Sequence, residues 1–110
     1  MRKTKKKQGR IQQRPAYGLT RVKQLVQKGN VYIRGNALDS ARQDFGWLSD
    51  DIIGALKKLQ SKHFYKSEPS RIKPPIMVDY YKAHGLKGEN VYLHFYIEKE
   101  TLTVNSFKKL

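Results

Sequence analysis

"NVYLHFYIEKETLTVNSFKK", residues 90–109, decides the fold. Val91, Leu93, Phe95 and Ile97 fall on one side of a period-two pattern and Tyr92, His94 and Tyr96 on the other, as in a strand with one face buried. Leu102 and Val104 continue the pattern in a second strand, and the charged residues Glu98 to Glu100 between the two runs predict a hairpin turn. Upstream, "HFYKS" (63–67) and "IMVDYYKA" (76–83) read as two further strands.

The first half has a helical period instead. In "LTRVKQLVQKGN" (19–30), Leu19, Val22, Leu25 and Val26 form one stripe, and Gly29 is placed to cap it. A short strand, "VYIR", follows at 31–34, and then "GNALDSARQDFG" (35–46) sets Leu38, Ala41 and Phe45 on one helical face and stops at Gly46. In "LSDDIIGALKKLQ" (48–60), Ser49 reads as an N-cap and Asp50 and Asp51 suit the positive end of the helix dipole. Leu48 is placed to staple onto Ile53. The expected class is α+β: a mainly antiparallel β-sheet packed against about three N-terminal helices.

Charge points to the partner. The 110 residues hold 23 Lys plus Arg against 9 Asp plus Glu, a formal net charge of +14. Met1 to Arg14 carries seven basic residues and no acid, which leaves sixteen basic against nine acidic side chains in the rest. The body is therefore basic without its tail, as a phosphate-binding surface would be. Residues 1–16 offer only Met1, Ile11 and Ala16 as apolar side chains and read as a disordered basic arm, leaving 17–110 as one domain. There is no cysteine and no apolar run of the roughly 20 residues a bilayer needs, so a cytoplasmic location with no membrane partner is expected.

Several chemistries lack their residues. The few carboxylates are mostly scattered, with no clustered Mg²⁺ ligands and no HExxH helix, and His63, His84 and His94 have no ligand or triad spacing. The expectation is no metal site and no cofactor. Lysine and tyrosine remain. Taken alone, Lys66 and Lys108 read as solvated cations, but seven tyrosines at this charge density suit a surface where bases stack while lysines meet phosphates. Arg71 and Lys73, just before Pro74-Pro75, read as a candidate substrate-binding loop.

"LTRVKQLVQKGNVYIR" (19–34), "DIIGALKKLQSKHFYKS" (51–67) and "NVYLHFYIEKETLTVNSFKKL" (90–110) resemble, in order and at near-matching spacing, the successive blocks of the MqsR family, motility quorum-sensing regulator toxins of type II toxin–antitoxin systems. The resemblance implies a RelE-like ribonuclease toxin fold and an mRNA interferase: an endoribonuclease that cuts mRNA and inhibits translation. Its implied partners are an mRNA substrate and a cognate antitoxin, with operator DNA reached only through the antitoxin complex. Carried onto this chain, the family's catalytic positions fall on Lys66 in "FYKS", Tyr92 in "VYL" and Lys108 in "SFK". Tyr65, Arg71, Lys73, Tyr81 and His94 join them as candidate substrate-binding residues. Val78 departs from the pattern, standing where the family has glutamine before Asp79; an apolar side chain offers no amide hydrogen bonds. Tyr80, Tyr81 and Lys73 are the candidate replacement donors, and reduced activity is the other outcome.

RNA supplies its own nucleophile, the ribose 2′-hydroxyl. The enzyme must remove one proton, deliver another and stabilise the phosphorane. Ordinary lysines and tyrosines, with pKa values of about 10, are poor bases. Crowded cations lower one another's pKa, and that effect is the expected route to a lysine base. Either lysine fits the role on sequence grounds. The rival readings are a catalytically weakened or inactive nucleic-acid-binding regulator of the same fold and a structural protein of an RNA assembly.

Overall fold

The computed structural model describes residues 11–110. Helix α1 (Leu19–Lys28), strand β1 (Val31–Ile33), α2 (Gly35–Phe45) and α3 (Ser49–Lys57) come first. A 3₁₀ turn, Ser61–His63, then leads into β2 (Phe64–Pro69), β3 (Met77–Leu86), β4 (Glu89–Glu98) and β5 (Thr101–Lys109). The sheet runs β1-β5-β4-β3-β2, antiparallel throughout except where β1 lies parallel to β5. This is the expected α+β class.

Local chemistry accounts for the boundaries. The α1 stripe ends at Gly29, whose φ of 78° lies in the left-handed region that glycine enters freely; the Gly29 and Asn30 N–H groups close onto the carbonyls of Val26 and Leu25. Helix α3 departs from the sequence reading by one residue. Ser49 is its first helical residue, not its cap, and the Asp51 carboxylate accepts the Leu48 N–H at 2.9 Å. The β4–β5 hairpin turns where expected, through Lys99 and Glu100, both left-handed, between the paired Glu98 and Thr101.

Val22, Leu25, Ile52 and Leu56 from the helices and Leu93, Phe95, Leu102 and Phe107 from the sheet belong to one buried core. The helices thus cover one face of the sheet. On the other face Tyr80, Tyr92, His94 and Tyr96 stay half-buried.

Residues 1–10 of the expected arm lie outside the described residues. From residue 11 onward the expectation of disorder is corrected. Gln12 pairs with Ser67 at the open edge of β2, and Asp79, fully buried, accepts the N–H groups of Ala16 and Tyr17 at 2.9 Å each. The Tyr17 hydroxyl donates to the Met77 carbonyl at 2.8 Å. Backbone and carboxylate bonds hold this strap where apolar burial could not.

Candidate functional site

Plain alternation would turn Lys66 inward with Phe64, and Lys108 inward with Leu102 and Val104. Two β-bulges reverse both. The pairing of β2 with β3 steps from Phe64–Tyr81 to Lys66–Tyr80, leaving Tyr65 as the extra residue. That of β5 with β4 steps from Val104–Phe95 to Ser106–His94, leaving Asn105 extra. A bulge re-aims the side chains that follow it. Phe64 and Phe107 stay against the core, while Lys66 emerges opposite Tyr80 and Lys108 opposite Tyr92, on the face the helices leave open.

There the side chains form a continuous row. Lys66 Nζ lies 4.8 Å from the Tyr80 ring centre, and Lys108 Nζ lies 5.4 Å from that of Tyr92. The Tyr80 and Tyr92 rings are 6.4 Å apart, and His94 stacks on Tyr80 at 4.6 Å. Tyr65, 45% exposed, lies beneath Lys82 Nζ at 3.8 Å from its ring. Three cations therefore border the aromatic strip, Lys66 and Lys108 on its flanks and Lys82 over Tyr65, each held by a ring face. Surfaces that bind single-stranded nucleic acid combine these two features, rings on which bases stack and ammonium groups that meet phosphates.

Titration follows from the surroundings. Burial, then the cations of Lys108 and Lys66, push His94 down to about 4, with Glu68 opposing, so the ring is neutral at pH 7. Burial first, then the Glu68 carboxylate, raises Tyr80 to about 12; the same two causes, in the same order, raise Tyr92. The phenols stay protonated and act as donors. Lys66 does not face only other cations, as the sequence reading supposed. Its Nζ donates to Glu68 Oε1 at 3.2 Å, and both side chains are about three-quarters buried or more.

Beside the row lies a cleft of about 450 Å³, bordered by Arg71, Lys73, Val78, Tyr80, His94 and Tyr96, with Arg34 and Asn105 at its far wall. The loop from Ser70 to Ile76 closes one side. Its Ser70 Oγ accepts the N–H groups of Ile72 and Lys73, and Lys73 Nζ reaches Glu98 at 3.3 Å. Val78 makes this cleft apolar at the position where the resemblance leads one to expect an amide.

Tyr81 is a correction. It points into the core, with no exposed surface, stacked on Phe95 at 5.4 Å and edge-on to Phe64 at 5.6 Å. Its neighbour Tyr80 takes the open face, because adjacent strand residues point to opposite sides. Tyr81 thus neither binds substrate nor replaces the glutamine as a donor.

Sequence reasoning missed Glu68, Lys82, Arg34 and Asn105. One signal was present for Asn105: the inward residues Val104 and Phe107 are three apart, a spacing that a regular strand cannot hold. Among the described residues no three His, Cys, Asp or Glu side chains converge as metal ligands would, and no helix is long and apolar enough to cross a membrane.

A family model described as "Motility quorum-sensing regulator, toxin of MqsA" matches residues 14–109, reaching past the resemblance that began at Leu19 and into the strap. No curated protein matches the chain.

Proposed function

The chain belongs to the motility quorum-sensing regulator family of toxins, which makes it the toxin of a toxin–antitoxin pair, and from that premise we propose a RelE-like, metal-independent endoribonuclease that inhibits translation by cutting mRNA. The observation that carries this reading is the bulge-driven convergence of Lys66, Tyr92 and Lys108, from three strands, on the open face of the sheet. The 2′-hydroxyl attacks the adjacent phosphorus, the bond to the 5′-oxygen breaks, and a 2′,3′-cyclic phosphate remains. Lys66 and Lys108 approach the strand from opposite flanks and stabilise the charge that builds on the phosphorane. Tyr92, kept protonated by its surroundings, donates to a phosphate oxygen or to the departing 5′-oxygen. Neutral His94 and Tyr65 supply stacking surface, and Arg71 and Lys73 border the cleft that receives a flanking base.

The antitoxin is the protein partner, and operator DNA is reached only through their complex. The test incubates the purified toxin with end-labelled RNA in EDTA. Discrete fragments with cyclic phosphate ends are expected, and none from RNA carrying 2′-deoxyribose at the cut position. Intact RNA would refute the reading. It would leave a second one, an RNA-binding regulator without catalysis, for which the neutralising Lys66–Glu68 pair and the apolar Val78 speak.

A further inference from the structure

We propose that Glu68 is the general base of this site, taking the proton from the attacking 2′-hydroxyl. The inference rests on the ribonuclease reading above and adds a catalytic residue to it.

Placement argues for it first. Among the carboxylates of β2–β5, Asp79 is buried under the sheet and occupied by the Ala16 and Tyr17 N–H groups. Glu89 lies at the β3–β4 turn, and Glu98 is held by Lys73 at the loop. Glu68 alone of these stands beside Lys66 in the row itself, its oxygen 3.2 Å from Nζ. Lys66, Tyr80, Tyr92 and His94 are the titratable and charged groups facing it, and Arg71 from the loop acts on Tyr80.

Elimination argues for it next. The Tyr80 and Tyr92 phenols are protonated and only donate. His94 Nδ1 is buried and has no partner, its ring lies flat on Tyr80, and taking a proton would add a cation between Lys66 and Lys108. A lysine is a base only after losing its own proton, and Lys66 Nζ is already engaged as a donor to Glu68.

The ion pair also supplies timing. A phosphate entering the row competes for Lys66 Nζ and frees the Glu68 oxygen it held to accept the 2′-hydroxyl as attack begins. In the step itself the 2′-O–H proton passes to Glu68, the bond from O2′ to phosphorus forms, and the bond to O5′ breaks. The departing O5′ takes a proton from Tyr92. Glu68 then returns its proton to water and the Tyr92 phenolate regains one.

The experiment compares wild type, Glu68→Gln and Glu68→Asp in the full chain. Single-turnover cutting is followed from about pH 5 to 9, and affinity is measured for the same RNA with 2′-deoxyribose at the cut position. Glu68→Gln is expected to slow cutting about 10²- to 10⁴-fold and to lose the acid-side fall in rate, while binding is unchanged or tighter because an anion is gone. Glu68→Asp, which keeps a carboxylate, is expected to cut faster than Glu68→Gln. If Glu68→Gln cuts at the wild-type rate with the same pH profile, or Glu68→Asp is no better than Gln, the assignment falls and the ribonuclease reading stands. If wild type itself leaves RNA uncut, both fall.

Discussion

The electrostatics of the open face can be measured without RNA, through His94. The folded protein holds this ring at about 4 against an ordinary 6.5, burial first, then Lys108, with Lys66 adding and Glu68 opposing. Between those two values the unfolded chain binds more protons than the folded one, so stability present above pH 6.5 is lost as pH falls toward 4. At 1.36 kcal/mol per unit, the loss attributable to this ring reaches about 3 kcal/mol by pH 4. Other groups titrate in the same window. Burial lowers His63, which acts with the same sign, and burial raises Asp79, which acts with the opposite one: its ionisation is relieved as pH falls through its folded value. The His94 share is therefore the difference between the urea-unfolding curves of wild type and His94→Gln from about pH 7.5 to 4, which should converge or cross as acid removes the wild-type advantage. An NMR titration of the ring gives the midpoint directly. Lys108→Met should move that midpoint up and Glu68→Gln should move it down, because the two charges act in opposite directions. Parallel stability curves, or a midpoint near 6.5, would refute the placement of His94 beneath the lysine flanks.

Lys108→Ala is expected to slow RNA cutting about 10²- to 10³-fold with little change in melting temperature, since the side chain is exposed and holds no part of the core; wild-type cutting would remove Lys108 from the mechanism. Asp79→Asn leaves one acceptor for the two strap N–H groups and should cost about 1–3 kcal/mol in urea unfolding, with faster proteolysis within residues 11–17; unchanged stability would refute the strap. Deleting residues 1–10 removes six basic side chains. If all six meet phosphates, the slope of log K against log salt becomes shallower by about 4, and the cut position stays the same; an unchanged slope would place the segment off the RNA.

The strand pattern of residues 90–109, the three helical stripes and the β4–β5 turn were legible because burial imposes a period on sequence. Registry was not. The inward placement of Phe64 and Phe107 and the outward placement of Lys66 and Lys108 depend on Tyr65 and Asn105 each adding one residue to a ladder, and a single strand does not reveal what its neighbour skips. The family resemblance supplied the three catalytic candidates without that geometry, and of the tyrosines offered as replacement donors the pleat presents Tyr80 and buries Tyr81. The strap failed to show for a different reason. Its order comes from hydrogen bonds to Ser67 and Asp79, more than fifty residues distant in sequence, and from almost no apolar side chains of its own. Glu68 escaped notice because one carboxylate next to a lysine reads as an ordinary surface pair. Only the sheet shows that the pair is largely buried and faces two phenols and an imidazole.

On the proposed ribonuclease reading, that environment is what would give so basic a protein a workable reaction centre. A row of lysines alone would bind phosphate strongly and offer nothing to accept a proton at neutral pH. The bulges bring the Lys66 and Lys108 ammonium groups to the two flanks of the aromatic strip, and Lys82, cross-strand from Tyr92, adds a third over the Tyr65 ring. Glu68 then sets one flank apart from the other, because Lys66 enters the site already paired and Lys108 stands against a ring alone. An in-line displacement needs this asymmetry: one side of the phosphorus must lose a proton while the other gains one. A face with matching flanks would hold RNA without distinguishing the attacking oxygen from the departing one.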